Sequence, residues 1–208
     1  MEMGMKLNRW CIAFLCITIF STAFLPVHAQ WKIGGKIGAN WSHVTEQKPA
    51  FTELKSIIGP RIGAVAAYDI NSHWGFQGEL LYNQMGFKTP VHIYSYDKQD
   101  LKNRSHYLSM PLIAKFYPQG EKGFCLQLGP QISYLIDNTT KLKDTPEVTD
   151  WPQKRLDFSI AAGLGFEMAN GIFFDARYAL GLTKCLKNFD SQNRSIQISI
   201  GYLFTIKD

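Results

Sequence analysis

Beyond residue 30 the chain is a succession of segments in which apolar and polar residues alternate with a period of two. Segment 194–206 shows it most plainly: Ile196, Ile198, Ile200, Tyr202, Phe204 and Ile206 share one face, and Ser195, Gln197, Ser199, Gly201, Leu203 and Thr205 the other. Alternation of this kind marks a β-strand whose two faces meet different surroundings. The pattern predicts strands at 32–42, 60–70, 74–87, 105–117, 123–136, 155–168, 172–184 and 194–206. Their first, third, fifth and seventh connections are about 17, 17, 18 and 9 residues long, and the others about 3, 5 and 3. Short turns on one rim and long loops on the other characterise a membrane barrel, with the short turns in the periplasm. The expected fold is all-β, an eight-stranded antiparallel up-and-down transmembrane β-barrel with both termini in the periplasm.

A soluble sandwich would also alternate, but its polar face would meet bulk water and could carry lysines freely. Here the polar faces of the later strands are rich in Gly, Ala and Ser, which suits a crowded interior. The aromatics sort by strand end as well. Trp31, Tyr68, Trp74, Phe76, Phe116, Phe124, Phe166, Phe174 and Phe204 gather at the short-turn rim, with a sparser set of Trp41, Tyr82, Tyr134 and Phe158, joined by the aliphatic Leu182, at the other. Two such girdles belong at the two interfaces of a membrane. The mean hydropathy of −0.12 and the 46% hydrophobic content do not oppose this. A spanning strand needs only about 9 to 11 residues and is polar at every second position.

Continuing the alternation puts Lys36, Arg61, Glu79, Lys115, Asp157, Glu167, Asp175 and Arg177 inside the barrel, four bases and four acids. Eight strands enclose an interior that side chains fill, and an unpaired charge there would cost several kcal/mol. The expectation is a structural network of ion pairs holding the lumen shut. The alternatives are a polar track for a small solute or ion. Pro111 and Pro130 each remove a ladder donor, so local bulges are expected at both.

The N-terminus carries Lys6 and Arg9, an apolar stretch over 10–25, and Val27-His28-Ala29, the layout of an export signal cleaved after Ala29. That divides the chain into a signal peptide at 1–29 and a barrel domain at 30–208. Bulky residues precede Cys11 and Cys16, which disfavours a lipoprotein. Cys125 and Cys185 fall near opposite rims, so two free thiols are expected. No CxxC or Cys/His cluster with zinc spacing occurs. The net charge of +5 is spread through mixed-sign loops and leaves no nucleic-acid footprint.

Tyr107-Leu108-Ser109-Met110-Pro111-Leu112-Ile113-Ala114-Lys115-Phe116 and Leu128-Gly129-Pro130 resemble the paired proline strands of the PorT-like outer-membrane β-barrel proteins of Bacteroidetes. So do Gly35-Lys36-Ile37-Gly38-Ala39-Asn40, Gly163-Leu164-Gly165-Phe166-Glu167 and Arg177-Tyr178-Ala179-Leu180-Gly181-Leu182-Thr183. The resemblance covers nearly all of 30–208 and implies an eight-stranded barrel in the bacterial outer membrane, with no cofactor, metal or catalytic residue. It departs from the usual outer-membrane ending, because Lys207-Asp208 follow the last aromatic strand.

Three function classes remain. The first is a non-enzymatic barrel that presents its loops to an envelope or extracellular protein partner, with outer-membrane lipid around it and no nucleic acid. The second is a narrow conduit or small-ligand carrier. The third is a rim-sited hydrolase or acyltransferase built from His43, His92, His106, Asp97 and Asp100, which would need a nucleophile and base within hydrogen-bond reach. Phe51, Tyr94, Tyr96 and Trp151 put aromatics into the loops, where they could anchor a partner or plug the mouth. The Asn-x-Ser/Thr triplets at Asn40, Asn103, Asn138 and Asn193 are read as coincidence.

Overall fold

A computed structural model describes residues 30–46, 55–93, 96–120, 122–142, 145–148, 154–184 and 191–206. The strands are β1 (Gln30–Glu46), β2 (Lys55–Asp69), β3 (Trp74–Ile93), β4 (Tyr96–Phe116), β5 (Phe124–Leu142), β6 (Thr145–Val148), β7 (Leu156–Glu167), β8 (Ile172–Lys184) and β9 (Ser191–Thr205). Eight of them run in the order β4-β3-β2-β1-β9-β8-β7-β5, every neighbour antiparallel, and a β4–β5 ladder closes the ring. Closure leaves no spanning strand with an unpaired edge, which is what a bilayer without water demands. β6 lies outside the ring and pairs only with β5, through Lys141↔Val148 and Leu142↔Thr145.

The wall is inside-out relative to a soluble barrel. Leu112 (64%), Ile198 (61%) and Phe204 (62%) are exposed on the outside, whereas Asn83 and Gln197 are fully buried within. The short turns are built locally. Asn71 Oδ1 accepts from the backbone N–H groups of His73 (2.9 Å) and Trp74 (2.8 Å). Gly120 (φ 68°) and Gly171 (φ 91°) occupy the left-handed region that their turns require.

Three expectations need correction. The connection expected at 88–104 is mostly strand: β3 runs on to Ile93 and β4 begins at Tyr96, so the two form a ribbon of 20 and 21 residues. Beyond the lipid the sequence no longer sorts apolar from polar residues by face, so the ladder continues after the alternation that revealed it has ended. β1, β2, β5 and β9 likewise run past the ends expected for them. Pro111 and Pro130 make no bulge. Pro130 falls in a short gap between Pro111↔Gln131 and Ala114↔Leu128, and Pro111 in one between Gly78↔Leu112 and Leu81↔Ser109, each ladder keeping one register across its gap, and Pro130 pairs Ile160 in an unshifted β5–β7 ladder. The β4–β5 irregularity lies instead between His106 and Tyr107. Cys125 is a buried free thiol. The segment read as an export signal, Cys185, Phe51, Tyr94, Trp151 and the last two residues lie outside the described residues.

Candidate functional site

The lumen is where polar side chains accumulate, and it is filled in tiers. Long side chains fit because glycines on the same inner face leave space. A Cβ at Gly165 would meet the Gln127 side chain, and one at Gly201 would meet the Phe173 ring.

The middle tier centres on Glu79 of β3. Its carboxylate lies 2.9 Å from Lys36 Nζ of β1, 3.3 Å from Arg61 Nη2 of β2 and 2.8 Å from Arg177 Nη1 of β8. Gln77 Nε2 donates to it as well, at 2.5 Å. Asp175 Oδ2 takes Lys36 Nζ at 2.9 Å and Arg177 Nη2 at 3.5 Å. Arg177 Nε donates to Gln127 Oε1 of β5 at 2.5 Å. The five charged side chains have no exposure, and their bonds tie β1, β2, β3, β5 and β8 together across the lumen.

A second tier lies toward the short turns. Lys32 Nζ bridges Asp69 Oδ2 (2.5 Å) and Glu167 Oε1 (2.6 Å), while Lys115 Nζ and the Tyr117 hydroxyl reach Glu167 Oε2 at 3.4 and 2.8 Å. Lys115 also sits 5.5 Å from the centre of the Phe173 ring, a favourable cation–π placement. Below this tier a cavity of about 180 Å³, lined by Asp69, Asn71, Ser72, Tyr117, Gly120 and Lys122, opens at the short-turn mouth.

Neutral groups fill the other side of the middle tier. Asn40 Nδ2 donates to Asn83 Oδ1 (3.2 Å), Gln197 Nε2 to Gln131 Oε1 (3.5 Å), and Ser109 and Ser133 bond each other (2.8 Å). Asp157 belongs here and not with the ion pairs. Its carboxylate accepts from the Thr183 hydroxyl (2.6 Å) and Asn193 Nδ2 (2.8 Å).

Of the eight charges expected inside, Lys36, Arg61, Glu79, Asp175 and Arg177 meet in one tier, Lys115 and Glu167 in another, and Asp157 stands apart. Lys32, Asp69 and Tyr117 were missed. Lys32 lies four residues before Lys36 on the same face of the expected strand 32–42, so carrying the alternation back to that strand's first residue would have found it. Asn40 and Asn103, two of the glycosylation-like positions, are buried. Of the residues considered for rim catalysis, His106 is occupied by the Tyr82 hydroxyl at Nδ1, and the side chains at 43, 92, 97 and 100 lie outside the described set. Among the described residues no group of three or more His, Cys, Asp or Glu side chains comes together to hold a metal ion.

Residues 25–187 match the family described as the outer membrane protein beta-barrel domain. The chain belongs to that family. Like its fold, membership places this outer-membrane barrel protein in the bacterial outer membrane. Among solved structures it is similar to Ail, the attachment invasion locus protein of Yersinia pestis, in complex with the heparin analogue sucrose octasulfate. Identity is 20%, the TM-score 0.50, and the match covers 84% of this chain and 99% of Ail. Neisserial surface protein A (NspA) is similar at 15% identity and a TM-score of 0.51, over 86% of this chain and 100% of that one. At such identities the likeness is one of fold. No curated protein matches the sequence.

Proposed function

We propose that this outer-membrane barrel is a non-enzymatic envelope protein, allied to the PorT-like barrels of Bacteroidetes, that keeps its lumen closed and works through the strands and loops beyond the outer lipid rim. The observation that carries the reading is the Lys36–Glu79–Arg177–Asp175 cluster with Arg61, which joins opposite walls of the lumen through side chains without exposure. An eight-stranded interior is narrow enough for side chains to fill. The β3–β4 ribbon, about twice the length a membrane crossing needs, supplies rigid surface for a partner.

Conductance across a planar bilayer tests it. The purified protein is expected to give no resolved steps, while crosslinking in the native envelope captures an envelope or extracellular protein through the ribbon. Conductance steps that disappear in Lys115→Ala or Arg177→Ala protein would replace this reading with a conduit. Hydrolase or acyl-transfer turnover dependent on His43, His92 or His106 would replace it with an enzyme.

A further inference from the structure

We infer that the outer face of the β3–β4 ribbon, at Lys88, Lys102 and Arg104, binds the phosphorylated sugar head group of an outer-leaflet glycolipid. The inference rests on the extracellular placement of the ribbon in the proposed function.

The register carries it. Lys88 pairs Lys102, so two lysines occupy directly opposed positions across β3 and β4. Arg104 is the next residue of β4 on the same face as Lys102. Neighbouring strands are about 4.8 Å apart, and like charges opposed across a ladder destabilise it. Such a pair with Arg104 beside it is unfavourable unless an anion lies over it. Lys102 already registers the crowding: desolvation and the Arg104 and Lys88 charges hold its ammonium, in the stretch of β4 beyond the lipid, below the ordinary lysine range. Among the described residues no carboxylate forms an ion pair with Lys88, Lys102 or Arg104.

Height identifies the anion. Along the outer face of β4 the order is Leu112, Met110, Leu108, then His106, Arg104 and Lys102. Leu108 pairs Tyr82 on one side and Tyr134 on the other, which marks the aromatic rim of the outer leaflet here. Arg104 and Lys102 stand four and six residues beyond that rank, roughly 10 to 15 Å above it once strand tilt is allowed for. A phospholipid phosphate sits at the rim, below the row. A phosphorylated sugar rises to it, and the long Lys and Arg stems bend back to meet the phosphates. Arg104 supplies a guanidinium fork that matches phosphate oxygens, with the lysines as point charges beside it.

The test uses the full mature protein in phosphatidylcholine nanodiscs, titrated with a phosphorylated lipopolysaccharide lacking O-polysaccharide and, separately, with the same glycolipid after phosphatase treatment. Saturable binding of the phosphorylated form is expected. Lys88→Ala/Lys102→Ala/Arg104→Ala should weaken it by about tenfold or more, since loss of one charged hydrogen bond alone costs about that much. Lys154→Ala, which removes one positive charge at an exposed position elsewhere on the same rim, should leave it within about twofold of wild type. Heat-modifiable gel migration verifies that each variant is folded. Equal binding of the dephosphorylated glycolipid, equal binding of phosphatidylglycerol or inorganic pyrophosphate, or wild-type affinity in the triple variant would each overturn the inference. A conducting lumen would overturn the closed-barrel proposal and leave this result untouched, so the two failures are distinguishable.

Discussion

Glu79 is the residue on which the lumen turns, because one carboxylate is shared by Lys36, Arg61 and Arg177. Neutralising it leaves three buried cations with only Asp175 between them. Removing one partner of a buried ion pair costs about 3 to 5 kcal/mol, chiefly through the charge left behind. Glu79→Gln is therefore expected to lower the unfolding free energy in lipid vesicles by about that amount, measured by urea titration. Asp157→Asn should cost only about 1 kcal/mol, since Thr183 and Asn193 are neutral donors and no buried cation is stranded. An equal loss for the two variants would show that the middle tier does not act as a unit. Alternation foretold which face these residues share. It carries no information on which of them meet, because that depends on how the closed ring aligns its strands. Lys32 reaches Glu167 across 135 residues of sequence, a distance no local pattern encodes.

Strands were legible where lipid lies on one face and packed polar groups on the other, as in β7 and β8, and less so where the chain has left the lipid. The β3–β4 ribbon escaped detection for that reason, as did β6. Replacing residues 90–100 with a two-residue turn should leave heat-modifiable folding unchanged and abolish capture of the envelope partner, which separates ribbon from barrel. Within the wall, adjacent glycines differ sharply. A Cβ at Gly34 would run into the Tyr202 carbonyl of β9, whereas one at Gly35 finds only the Gly63 carbonyl at 3.5 Å. Gly34→Ala is expected to destabilise the β1–β9 ladder by about 1 to 3 kcal/mol and Gly35→Ala by much less, read from urea midpoints. Comparable midpoints would mean that the backbone at Gly34 yields easily.

For the molecule as a whole, charges inside and outside the wall should answer differently to salt. The Debye length falls from about 10 Å at 0.1 M to 3 Å at 1 M, but screening reaches buried pairs weakly. Raising the ionic strength across that range should leave thermal unfolding of the barrel nearly unchanged, while glycolipid binding at Lys88, Lys102 and Arg104 falls steeply. A barrel that melts progressively earlier with salt would mean that water and ions enter the lumen. β1 and β9 bear on assembly in another way. They are hydrogen-bonded from Lys32↔Thr205 to Glu46↔Ser191, so the strands nearest the two termini are ordinary neighbours. The ring has no first member: joining 206 to 30 by a short linker and opening the chain in the turn near Gly120 would preserve every ladder. The linear order of the strands then governs only which edge waits longest for its partner while the barrel is being made.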